Sequence, residues 1–199
     1  MRRALKSLGL FVAFVVIFTL SRHAIPHGTS TTTTASVATT STSSAPGTPA
    51  CLAQDFRGTY NLAQGATGTV YASITLTKVS GPLCTLRGWP TLTLQDRTGA
   101  ILSSSTIDLP TSNSPIQFPD TAANHAPASL TLADGALVRF DLAYSNVPTG
   151  TQTCPSVQTI SVQLKKGGGV VSVTPAYPPQ PCNSGAIWVS PYFANPAAS

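Results

Sequence analysis

Charge is what this sequence has least of. Only 9% of its 199 residues are charged, and none of them is glutamate. The formal net charge of +5 invites a nucleic-acid reading until the charges are placed. Arg2, Arg3, Lys6 and Arg22 flank an N-terminal apolar run. From Cys51 onward seven Lys/Arg face six Asp, a net charge of +1. A near-neutral domain has no electrostatic footprint for phosphate, so no nucleic-acid partner is expected. Histidine is equally scarce: past residue 50 there is only His125. With no C-x-x-C spacing among the cysteines, a zinc site is not expected. No G-x-S-x-G occurs, and Asn124-His125-Ala126-Pro127 holds no nucleophile, so His125 reads as a solvated loop residue. Gly167-Gly168-Gly169 follows Lys165-Lys166 without the strand–loop–helix context of a phosphate loop and reads as a hairpin loop. No cofactor is expected, and no stretch after residue 51 holds a helical period.

What is present begins with an address. Met1–Lys6 is basic and Leu8–Leu20 is uncharged, the pattern of an export signal. At about 1.5 Å per residue that run spans about 20 Å, short of a hydrocarbon core of about 30 Å, which favours a cleaved signal peptide. The cleavage site at Thr19-Leu20-Ser21 is poor and Arg22 follows it, which favours an uncleaved anchor. Both readings stay open for residues 1–21. Residues 22–50 read as a disordered stalk: Thr29–Ala50 holds nine Thr and five Ser among 22 residues, too little apolar surface to fold. Residues 51–199 are then one domain, outside the cytoplasm or in the cell envelope, with the membrane reached only through residues 8–20.

Cys51, Cys84, Cys154 and Cys182 all follow the export signal. An even number in an exported domain argues for two disulfides, and spacing leaves all three pairings open.

The rest of the chain reads as strands. Val70, Ala72, Ile74 and Leu76 alternate with polar residues through Thr69–Lys78, and Leu92 and Leu94 do so through Thr91–Gln95. Asp96-Arg97-Thr98-Gly99 reads as a turn into Ala100–Ile107. Asp134-Gly135 reads as a hairpin turn between Ala128–Leu132 and Ala136–Tyr144. Thr159–Leu164, Val170–Val173 and Ile187–Val189 complete the set. The expectation is all-β, an antiparallel sandwich of about eight strands, with Pro110–Pro127 and Pro175–Pro181 as loops at its ends or edges.

One further pattern runs from Cys51 through Gly65-Ala66-x-Gly68-x-x-Tyr71, Ser80-Gly81-x-x-Cys84-x-Leu86-x-Gly88-Trp89-Pro90 and Leu94-x-Asp96-x-x-Gly99. It continues through Leu132-x-x-Gly135, Cys154-Pro155, Cys182 and Val189-x-Pro191. This resembles an exported domain of unknown function from actinobacteria, over about 141 of 199 residues. The resemblance implies an Ig-like β-sandwich, sequential disulfide pairing and an envelope or extracellular location, and it implies no activity. Two departures stand out. Many relatives resemble lipoproteins, and no lipidation cysteine ends the apolar run here. Lys78 and Trp89 also replace the commoner Asn and Tyr.

Candidate chemistry is thin. Paired carboxylates could hydrolyse glycosidic bonds, with Asp55, Asp96, Asp108, Asp120, Asp134 and Asp141 to draw on. Asp96 and Asp134 fit turns, and Asp141 fits the polar face of a strand. Exposed aromatics could stack on sugars or anchor a protein. Trp89, Tyr177 and Tyr192 are the binding-surface candidates, with Trp89 and Tyr144 also suited to packing in or over the core. The expectation is a non-enzymatic binding module whose partner is an envelope protein or cell-wall polymer. An Asp-dependent polysaccharide hydrolase and a ligand-free spacer are its rivals.

Overall fold

A computed structural model describes residues 47–66, 68–110, 114 and 116–195. The expected signal or anchor, and residues 22–46 of the expected stalk, lie outside the described residues. Among the described residues no helix is long and apolar enough to cross a membrane.

Eleven strands appear among the described residues. They are β1 (Phe56–Ala66), β2 (Thr69–Lys78), β3 (Cys84–Leu86), β4 (Thr91–Gln95), β5 (Ser105–Asp108), β6 (Leu130–Leu132), β7 (Leu137–Ser145), β8 (Thr159–Gln163), β9 (Val170–Val173), β10 (Ala186–Val189) and β11 (Phe193–Ala194). The helical elements among these residues are three short 3₁₀ turns. One layer runs β1-β2-β7-β10-β5, with β11 beside β10 along the edge of β7. Across the core from it stand the sheet β4-β8-β9 and a separate pair β3-β6. Ile74, Leu76, Val138 and Phe140 from the first layer meet Leu94, Ile160, Val162 and Val173 from the second in one core, each 2% exposed or less. The all-β expectation is met, and the two layers with two disulfides suit an Ig-like sandwich.

The alternating stretches form the strands they promise: in β2 and β8 the apolar residues face inward. The first strand was not foreseen, because Gly58 interrupts its apolar face. The fold needs glycine there, since a Cβ would collide with the Val173 side chain of β9 and press on Leu76.

Details of the strand reading differ from expectation. There are more strands than eight, and the β5–β10 pair is parallel. The stretch Ala100–Ile107 is mostly irregular: Ile101 makes an isolated bridge to Gln95, and regular pairing starts only at Ser105. Asp134-Gly135 turns the chain but makes no hairpin. β6 pairs β3 on one side of the core while β7 pairs β2 on the other, so the turn carries the chain between layers.

From the described part of the Pro110–Pro127 stretch, Phe118 and Ala123 pack with Leu109 on Ala143 and Phe193, making a second small core outside the first layer. β7 is therefore covered on both faces, and Asp141 is 2% exposed rather than on a solvated face.

Candidate functional site

The strand register brings four connections to one end of the sandwich: β1–β2, β4–β5, β7–β8 and β9–β10. In the first layer Gly65 pairs Val70, Val70 pairs Tyr144 and Tyr144 pairs Ile187, at the strand termini that carry these loops. In the second layer Gln95 pairs Thr159 and Ile160 pairs Val173. A hydrogen bond and a disulfide are among the links that join the β7–β8 loop to the β9–β10 loop. The Val157 amide donates to the Pro179 carbonyl at 2.9 Å, and Cys154 is bonded to Cys182. The other disulfide, Cys51–Cys84, ties the start of the domain to β3. Both follow the sequential pairing, and they indicate folding in an oxidising compartment.

Three clefts open among these loops. The first, about 320 Å³, is lined by Val70, Tyr144, Asn146, Tyr177, Pro178 and Gln180. The second, about 530 Å³, is lined by Ser103, Thr151, Thr153, Pro155 and Ser184. It shares Leu102 and Pro155 with the third, about 380 Å³, which reaches Asp96 and Arg97. Those two are the only charged residues that the four loops contain. Asp96 is occupied locally: its Oδ1 accepts from the Thr98 hydroxyl at 2.7 Å, the Thr98 amide at 2.8 Å and the Ala100 amide at 3.0 Å. Those bonds, the Thr98 hydroxyl first, hold its carboxyl below the usual range.

The backbone here is held in a special form. Asn183 and Ser184 both have positive φ, 54° and 60°, without being glycine. Asn183 Oδ1 accepts from the Thr149 hydroxyl at 2.8 Å and the Thr149 amide at 3.1 Å. At Gly185, φ is +69° and any Cβ would collide with the Ser103 carbonyl, so the β9–β10 loop comes up against the backbone of the β4–β5 loop there.

A family model described as a domain of unknown function, DUF4232, matches residues 51–192. The chain belongs to this family. No curated protein and no solved structure matches it. Of the DUF4232 domain's expected surface aromatics, Tyr177 is 72% exposed and stands at the rim of the first cleft. Tyr192 is 1% exposed, its ring edge-on to Phe140 at 5.8 Å, so it offers no surface. Trp89 is half-buried against the main core and donates from Nε1 to the Leu109 carbonyl at 2.7 Å. Tyr144 is 3% exposed and forms the cleft's inner wall, with its hydroxyl pKa raised by burial. Behind it lies Tyr60, whose Oη is buried with no hydrogen-bond partner and whose pKa burial also raises. His125 is exposed, just past the 3₁₀ turn Thr121–Asn124.

The DUF4232 domain's carboxylates are dispersed, with one exception. Asp55 lies under Gly81, Asp134 pairs with Lys78, and Asp108 is exposed on β5. Asp120 and Asp141 converge on Arg139, with Nη1 at 3.6 Å from Asp120 and Nε at 2.8 Å from Asp141. Burial raises the Asp141 pKa to about 6, against the pull of Arg139. A guanidinium fills the space between these two carboxylates, and neither lines any of the three clefts. Asn146, Gln180 and the Thr149–Thr153 run were not singled out from sequence. The signal available for them was the absence of charge on both sides of Cys154 and Cys182.

Proposed function

We propose that this DUF4232 domain is a non-catalytic binding module exported to the cell envelope or beyond it. Its recognition surface is the loop end bearing Tyr177, and residues 1–50 address and space it. The observation that carries the reading is the Cys154–Cys182 disulfide, which crosslinks two of the loops around an uncharged cleft with an exposed aromatic at its rim. Crosslinked loops lose less freedom on binding, so more of the contact energy appears as affinity. Loops clustered at a sandwich end are a common place for recognition. The hydrolase rival draws less support, because Asp120 and Asp141, the two carboxylates that share a partner, both engage the Arg139 guanidinium.

The test is co-sedimentation of the oxidised full-length protein with purified cell-wall material. Saturable retention by wild type and Trp89→Phe, reduced about tenfold in Tyr177→Ala, is the expected result. Turnover of the wall polymer, or no retention of folded wild type, would overturn the reading.

A further inference from the structure

We infer that the cleft beneath Tyr177 is a subsite for a neutral saccharide unit, an inference that rests on the binding-module reading. The lining decides the ligand's charge. Tyr177, Tyr144, Asn146, Gln180, Pro178 and Val70 supply rings, carboxamides and apolar surface, with no carboxylate, guanidinium or ammonium among the residues lining this cleft. A charged ligand would lose water here without meeting a counter-charge. A neutral polar ligand meets no such barrier.

The shape of the chemistry then selects among neutral ligands. A pyranose presents an apolar C–H face and a rim of hydroxyls that both donate and accept. Tyr177, exposed at the rim, offers a flat face for the first. Asn146 and Gln180 are exposed and each carries a donor and an acceptor on one planar group, matched to the second. A volume of about 320 Å³ lies at the small end of ligand sites and suits about one or two rings. The second cleft at the same loop end carries hydroxyls from Ser103, Thr151, Thr153 and Ser184. Two uncharged polar clefts at one end fit units of one neutral polymer.

The experiment is retention of the full-length oxidised protein on insoluble wall polysaccharide, with soluble competitors. The competitors are short neutral oligosaccharides of the cello-, manno- and malto-series, and an oligogalacturonide as the anionic counterpart. The expected result is competition by at least one neutral series but not by the oligogalacturonide. Apparent affinity should fall about tenfold or more in Tyr177→Ala and in Gln180→Ala, and stay near wild type in Tyr177→Phe, which keeps the ring. Near-ultraviolet circular dichroism confirms that each variant is folded. Tyr177-dependent retention that no neutral oligosaccharide displaces, or that protease treatment of the wall abolishes, overturns the saccharide inference and leaves the binding reading standing. No saturable retention of folded wild type overturns both.

Discussion

The Lys78 ammonium meets the Asp134 carboxylate at 2.8 Å across 56 residues of chain, with the Lys78 side chain 0% exposed and that of Asp134 64% exposed. The same Nζ donates to the carbonyls of Ser80 and Gly81, so its three protons are all taken. The backbone joins in: the Lys78 amide donates to the Ala136 carbonyl, and the Gly135 amide donates to the Lys78 carbonyl. One residue thus holds both the β2–β3 loop and the turn that carries the chain between layers. Lys78→Met keeps the apolar stem and strips the two carbonyls of their donor, while Asp134 returns to water. The expected loss is about 1–3 kcal/mol, read by urea denaturation. Unchanged stability would mean that this buried ammonium is dispensable.

Asp141 makes stability depend on pH in an unusual direction for a carboxylate. Its folded pKa of about 6 lies above the unfolded value of about 3.9, so the folded state takes up the proton more readily. The resulting stability is fully present below about pH 4 and is lost as pH rises through about 6. The groups facing it are Arg139 and Asp120. Between pH 4 and 7 the change is on the order of 1–2 kcal/mol. Thermal melts over this range, wild type against Asp141→Asn, should show a slope that the variant lacks. Parallel curves would refute the assignment.

The two disulfides differ in what they protect. Their loops, with sequence separations of 33 and 28, are each worth about 3.5–4 kcal/mol in the chain-entropy view. Removing either pair by Cys→Ser should lower the melting temperature by a similar amount. Only Cys154→Ser/Cys182→Ser, which frees the cleft loops, should also weaken wall binding when measured well below the melt. Equal binding losses in both double variants would argue against preorganisation of that end.

Tyr192 and Tyr177 separate core from surface. Tyr192→Ala empties a site 1% exposed and should cost about 3–5 kcal/mol. Tyr192→Phe removes a buried hydroxyl without a partner and should be neutral or slightly stabilising. Tyr177→Ala should leave stability within about 0.5 kcal/mol of wild type. Denaturant midpoints for the three variants check the ranking, and a large loss for Tyr177→Ala would remove it from the surface.

Fold class, the alternating strands and the presence of two disulfides could be read from the chain because their signals need no knowledge of the fold. Val70 to Leu76, Leu92 with Leu94, and Val138 to Tyr144 alternate with period two, and alternation places one face on a core whatever else the chain does. The scarcity of charge was equally legible, and it returns as the neutrality of the loop end. What lies on the second face of a strand is not local. Asp141 alternates as a solvated residue should, and only the docking of Leu109, Phe118 and Ala123 outside β7 buries it. Lys78 falls in phase with Val70, Ala72, Ile74 and Leu76, so alternation already places it on the inward face, and only the crossing at Asp134-Gly135 brings it a counter-charge. Tyr192, near the chain's end, enters the core because Ser190 exchanges hydrogen bonds with Asp141 and turns the chain inward. The gathering of Tyr177, Asn146 and Gln180 follows from which strands pair with which. Pairing partners are chosen by contacts between residues far apart in sequence, and a local pattern carries no record of them.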